Sequence, residues 1–203
     1  MPLTPVFLLS AFDASHFPTE EKTGGAPEIA FLGRSNVGKS SLINALLGSK
    51  EAKVSSTPGR TRSINFFALH EGAGAKMKVR PSLIFADLPG YGYAKISKSI
   101  SAEWPNFIEP YVNERETLAM CVCLVDTNIP PQESDGMLIT ALKQMQRPLI
   151  VVGTKSDKLS NNQLAKSIAA LKREHAIDEV VTVSSKTDAG MKALWGRLMQ
   201  VIE

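Results

Sequence analysis

Short apolar runs recur along the chain, and most of them end in a cluster of Gly, Ser, Thr, Pro or Asp. Residues 28–32, ending in Phe31 and Leu32, read as a buried strand, and residues 41–47 continue as a helix that closes on Gly48. Further strands are predicted at 64–67 and 82–86, joined through Glu71, Gly72, Ala73 and Gly74, and at 149–153 and 180–183. Residues 97–113 read as a helix broken near Trp104 and Pro105. Met191, Leu194, Trp195, Leu198, Met199 and Ile202 fall at helical spacing on one face of a final helix. Residues 1–24 have the weakest pattern and lead into Gly25; they are assigned as an N-terminal arm with one candidate edge strand at 5–11, ahead of a single domain over 25–203. Strands alternating with helices predict an α/β, doubly wound, mostly parallel six-stranded sheet with one antiparallel edge strand and helices on both faces.

Candidate chemistry concentrates where those runs end. Gly33, Arg34, Ser35, Asn36, Val37, Gly38, Lys39 and Ser40 fit G-x-x-x-x-G-K-[ST] between a strand and a helix, the setting of a phosphate-binding loop and hence of a P-loop NTPase fold. The glycines let the backbone turn its N–H groups inward, and the helix N-terminus adds positive potential. Lys39 would reach the terminal phosphates, and Ser40 would offer a hydroxyl to magnesium. The strand at 82–86 ends in Asp87, Leu88, Pro89 and Gly90, a D-x-x-G arrangement in which Asp87 would hold magnesium through water. Gly90 would set its N–H against a γ-phosphate.

The base is read further on. The strand at 149–153 ends in Thr154, Lys155, Ser156 and Asp157, and an Asp there accepts two hydrogen bonds from guanine that adenine does not offer. Lys155 would lay its stem along the purine face, and the backbone of Ser184, Ser185 and Lys186 would meet the guanine oxygen. Between the first helix and the next strand lies a loop rich in Gly, Pro and hydroxyls, including Gly59, Arg60, Thr61, Arg62 and Ser63. It is expected to touch GTP and to supply a second magnesium hydroxyl, from Thr61 or from Thr57.

These segments together (33–41, 57–61, 87–94 and 154–158) resemble the EngB (YihA/YsxC) family of TRAFAC-class small bacterial GTPases, and the resemblance spans nearly the whole chain. It extends to Trp104 and to Leu124, Val125 and Asp126 at a strand end. It implies Thr61, the Thr of Gly-Arg-Thr, as the magnesium ligand beside Ser40 and Asp87, and GTP and GDP as ligands. It also implies a role in large-subunit assembly of the ribosome, with linked effects on cell division and septation. One departure is visible: family members commonly carry an Arg shortly after the Val-Asp pair, where this chain has Thr127 and Asn128.

The chain has 203 residues, 43% of them hydrophobic, enough for one full α/β core. No apolar run approaches the ~20 residues of a membrane span, and the N-terminus lacks the flanks of a targeting peptide, so a cytoplasmic monomer is expected. Cys121 and Cys123 share one side of a strand and are assigned to core filling, and His16, His70 and His175 to no chemistry. The net charge of +3 hides an asymmetry: residues 34–98 hold eleven Lys or Arg against three acids. Lys50, Lys53, Lys76, Lys78 and Arg80 exceed what one nucleotide requires, which suggests a footprint for the large subunit or its RNA.

Lys39, Thr61 and Gly90 are the candidate catalytic groups, but Tyr91 stands where many GTPases keep a water-orienting Gln. Slow intrinsic hydrolysis accelerated by a partner is therefore expected, with potassium held through Asn36 as a further candidate cofactor. A GTP-gated binding module with vestigial hydrolysis and a small-molecule phosphotransferase are the alternatives. The second lacks any insertion large enough to serve as an acceptor lid.

Overall fold

The computed structural model describes residues 3–49, 63–74, 77–91 and 107–202. The break expected near Trp104 and Pro105 lies outside them. Seven strands form one sheet in the order β1-β3-β4-β2-β5-β6-β7. They are β1 (Leu3–Ala11), β2 (Glu28–Gly33), β3 (Ile64–Glu71), β4 (Leu83–Asp87), β5 (Leu118–Asp126), β6 (Leu149–Thr154) and β7 (Val181–Thr182). The helices are α1 (Glu20–Thr23), α2 (Lys39–Leu47), α3 (Glu109–Glu114), α4 (Glu133–Gln144), α5 (Asn161–Glu174) and α6 (Met191–Met199).

The mostly parallel, doubly wound sheet is as the sequence predicts, with one strand more than the six expected. The added strand is β1, which covers residues 5–11 and begins earlier, at Leu3. It pairs antiparallel with β3, which is itself antiparallel to β4, so the reversed strand lies one place in from the edge. β2 runs parallel to both β4 and β5. The chain leaves β2 toward β3 and β4 on one side and returns to β5 on the other, which makes the C-terminal end of β2 the topological switch point where such sheets bind ligands.

Period-two alternation divides the core between the two faces. Ile29 and Phe31 of β2, with Val122 and Leu124 of β5, pack with Leu42 and Ile43 of α2 and Leu194 and Leu198 of α6. Trp195 meets Phe85 edge-on across that layer, so the predicted stripe of the last helix is core. Ala30, Leu32, Cys121 and Cys123 face the other way, toward Tyr111 of α3, Ile139 and Leu142 of α4, and Leu171 of α5. Both cysteines are free and buried, and burial pushes the Cys121 thiol up to about 12, which agrees with a packing role.

A buried ion pair anchors the start of β2. Glu28 is fully enclosed, and its carboxylate accepts from Arg115 Nε (2.9 Å), Tyr111 Oη (2.8 Å) and Thr117 Oγ1 (2.8 Å). Arg115 also donates to the Pro18 carbonyl at 2.7 Å, and its guanidinium lies 5.9 Å from the Phe17 ring centroid. The cluster joins the segment before β2 to the turn between α3 and β5. A buried carboxylate left without its partner carries its whole desolvation cost. Arg115→Ala is accordingly expected to lower stability by about 3–5 kcal/mol, and Tyr111→Phe by about 1–3 kcal/mol, read from urea unfolding midpoints.

Candidate functional site

The loop from Gly33 to Gly38 opens at the switch point. Asn36 and Gly38 take positive φ angles (66° and 104°), and Gly38 caps α2, so the first helical residues are Lys39 and the half-buried Ser40. A φ near 100° is strained for any residue with a Cβ, which is why the motif holds Gly there. Val37 N–H donates to the Arg34 carbonyl (3.1 Å) and Leu42 N–H to the Gly38 carbonyl (2.9 Å). The Ser35 N–H is given to the Tyr91 carbonyl (2.8 Å), and the helix dipole at the N-terminus of α2, which starts at Lys39, favours an anion.

Neighbouring strand ends hold the loop from two sides. On the β4 side Lys39 Nζ pairs with Asp87 Oδ1, both side chains being nearly enclosed. Leu88 and Pro89 are buried, and Leu88 N–H donates to the Phe31 carbonyl at 3.2 Å. Gly90 presses on Ser35: a Cβ on Gly90 would lie 3.1 Å from the Ser35 backbone nitrogen. On the β6 side the buried Thr154 hydroxyl donates to the Val37 carbonyl at 2.6 Å. Lys155, in a left-handed conformation, donates from Nζ to the Asn36 carbonyl (2.7 Å) and pairs with Asp126 Oδ2 (2.6 Å).

The Asp157 carboxylate stands exposed beyond Lys155 and accepts from Ser184 Oγ at 2.7 Å. That bond, before any other influence, holds its pKa below the usual Asp value. The same Ser184 oxygen accepts from the N–H groups of Lys186 and Thr187, each at 3.2 Å, and Ser156 N–H donates to the Val183 carbonyl. Ser184 therefore orients Asp157 through its hydroxyl, a role the sequence does not announce. Ser185 and Lys186 are exposed on the same turn.

The structure thus gathers Gly33 to Ser40, Asp87 to Gly90, Thr154 to Asp157 and Ser184 to Lys186 along one edge of the sheet. Ser63 is described and buried, with its hydroxyl 3.3 Å from Asn65 Oδ1, while Thr57, Gly59, Arg60, Thr61 and Arg62 lie outside the described residues. Two acids were missed. Asp126 is the counter-ion of Lys155, and Asp135 accepts from the Tyr91 hydroxyl at 2.9 Å. Asp126 ends a predicted strand, which was its only sequence signal, and Asp135 had none. Both line a cavity of about 190 Å³ beside the loop, with Arg34, Asn36, Ile129 and Lys155.

Thr127, at the site of the departure from the family pattern, is buried and donates to the Thr154 carbonyl at 2.8 Å, whereas Asn128 is exposed. Of the surplus cations, Lys78 pairs with Glu71, and Lys50, Lys53 and Lys76 lie outside the described residues. No helix among the described residues is long and apolar enough to cross a membrane.

Magnesium keeps several waters and prefers hard oxygen donors, so it needs no dense cage of acids. The described residues hold no cluster of three or more His, Cys, Asp or Glu able to grip a metal, and the Asp87 carboxylate and Ser40 hydroxyl are hard oxygens beside the phosphate loop. That donor set fits the ion.

Comparison with known proteins agrees with this geometry. A family described as 50S ribosome-binding GTPase matches residues 28–155. A probable GTP-binding protein EngB of Acidobacterium capsulatum is 58% identical over 99% of this chain and 92% of its own length, and one of Koribacter versatilis is 55% identical over 96% and 92%. The crystal structure of a probable GTP-binding protein EngB superposes with a TM-score of 0.65 at 24% identity, covering 86% of this chain and 98% of that one. Era of Aquifex aeolicus reaches 0.68 at 24% identity, covering 88% and 57%, and at that identity both likenesses speak to the fold. Sequence identity above one half and nearly end to end, joined to the match over the strands and loops that build the phosphate edge, makes this chain a member of the EngB family of GTP-binding proteins.

Proposed function

We propose that the chain is a magnesium-dependent GTPase switch that hydrolyses GTP slowly on its own and acts on the large ribosomal subunit during its assembly, with normal division and septation depending on it. The observation that carries the nucleotide reading is that Asp87 pairs with Lys39 of the loop and Lys155 binds the loop carbonyl of Asn36, with Asp157 held by Ser184 on the adjoining turn. Lys39 and the loop N–H groups bind the β- and γ-phosphates. Ser40, Thr61 and Asp87 would hold magnesium, which would supply positive charge against the phosphates. Lys39 then trades its Asp87 partner for phosphate oxygen, and the Gly90 N–H meets the γ-phosphate. Asp157, held by Ser184, accepts from guanine.

Support for a ribosomal partner comes from the description of the matched family and from the basic excess of residues 34–98. Slow turnover follows from Tyr91, because its side chain packs on the sheet face opposite α2 and its hydroxyl is given to Asp135. It cannot orient water as a Gln amide does. Potassium, held through Asn36, would add positive charge beside the phosphates. The protein acts as a cytoplasmic monomer, with residues 3–11 of the expected N-terminal arm built into the sheet of the 25–203 domain as β1.

Two measurements test this reading. Lys39→Ala is expected to weaken GTP binding at least about 100-fold, because charge-assisted bonds to phosphate are lost. Asp157→Asn is expected to lower GTP affinity by a similar factor while favouring xanthine nucleotides, whose 2-oxo group accepts from an amide. Retained GTP affinity in both, by fluorescent-nucleotide titration, rules out the site. GTP turnover is also expected to rise on adding purified large subunits in potassium buffer and to lose that stimulation as salt increases. Equal rates in sodium and potassium remove the Asn36 cation, and no stimulation at any salt removes the ribosomal partner.

A further inference from the structure

Tyr91 stands one residue past the D-x-x-G loop and is held through both its backbone and its side chain. Its N–H donates to the Gly33 carbonyl (3.4 Å), its carbonyl accepts from Ser35 N–H (2.8 Å), and the pair Arg34 and Tyr91 forms a parallel bridge that extends the sheet beyond β4. Its side chain packs on the α4 face, where the hydroxyl donates to Asp135 Oδ1 at 2.9 Å. Asp135 lies in the first turn of α4 and is only 3% exposed. Arg34, Asp126, Cys123 and His175 are the other ionisable groups that act on this pair.

A buried carboxylate is costly, and an apolar residue would fill the same space at less cost. Burial raises the Asp135 pKa above the usual Asp value, with the Tyr91 bond and Arg34 opposing it. What the carboxylate achieves is to hold the Tyr91 ring on α4. Gly90, between this anchor and Asp87, is pressed against the Ser35 backbone, where even a Cβ would be tight at 3.1 Å.

We propose that Asp135 is a positioning residue: through Tyr91 it fixes the Gly90 N–H over the phosphate loop, and so sets the preference of the site for a nucleoside triphosphate over the diphosphate. The inference rests on the guanine-nucleotide reading above. Only the triphosphate carries the γ-phosphate that the Gly90 N–H meets. Loosening the anchor therefore weakens triphosphate binding and leaves diphosphate binding nearly intact, which a purely structural role would not do.

The test is titration of GDP and of a non-hydrolysable GTP analogue on the full chain and on three variants. Tyr91→Phe keeps the ring and loses the bond, and Asp135→Leu removes the acceptor. Each is expected to lower the ratio of analogue to GDP affinity about tenfold, the value of a hydrogen bond to a charged group. Both together should cost no more than either one. Asp135→Asn, whose amide oxygen still accepts from the hydroxyl, is expected to keep the ratio within about twofold, because the contact is preserved. Should Asp135→Leu fail to fold, Tyr91→Phe and Asp135→Asn decide the matter. Equal losses for both nucleotides, or no change in either, overturn the role of Asp135 and leave the nucleotide site standing. Failure of the unaltered protein to bind GDP overturns both.

Discussion

The phosphate loop keeps its shape because its carbonyls are occupied from neighbouring strands, and the rest of the site depends on that constraint. A turn that aims N–H groups at one point has to send its C=O groups elsewhere, and in a protein interior those oxygens need donors. Gly33 finds the Tyr91 amide, Asn36 the Lys155 ammonium and Val37 the Thr154 hydroxyl. The donors come from two strand ends on opposite sides of β2, so the loop is built only when β4 and β6 are in register with the centre of the sheet. Thr154 and Lys155 close β6 and also brace the loop after β2, so one short segment ties the turn that carries Asp157 to the geometry of that loop.

The charges near the loop follow the same economy. Lys39 and Asp87 neutralise each other, as do Lys155 and Asp126, so the two lysines beside the loop each have an anion within reach. An enclosed lysine without a counter-ion would lose its proton or the enclosure. The pairs hold the long side chains in place.

Most of the fold and the nucleotide edge was legible because both are written in local code. Apolar runs ending in Gly, Asp or Thr gave the parallel strands, and the tetrads that close them gave the motifs. Groups whose purpose exists only across the fold were not legible. Glu28 reads as an ordinary polar start to a strand, and only packing shows it fully buried among Arg115, Tyr111 and Thr117, 83 to 89 residues away. Asp135 carries no signal in the sequence, and only packing shows it buried against the Tyr91 hydroxyl. Ser184 was expected to act through its backbone, yet its hydroxyl holds Asp157. The seventh strand was half visible: β1 alternates poorly because its edge position leaves Val6 and Phe7 partly exposed, and its pairing with β3 was a matter of tertiary assembly.

The central place of β2 has a consequence for how the chain is made. Its six residues are all buried in the finished sheet, and its two partners, β4 and β5, begin 55 and 90 residues later. During synthesis the strand leaves the ribosome with both edges unpaired and both faces uncovered. Its β5 edge stays unpaired until residue 126 or thereabouts has emerged, roughly 5 to 20 s later at ordinary elongation rates. Such an interval favours either a chaperone that shields one apolar strand or a provisional pairing within the early chain, and β3 with β4, antiparallel and consecutive in sequence, is a ladder whose members have both emerged before the last partner of β2 arrives.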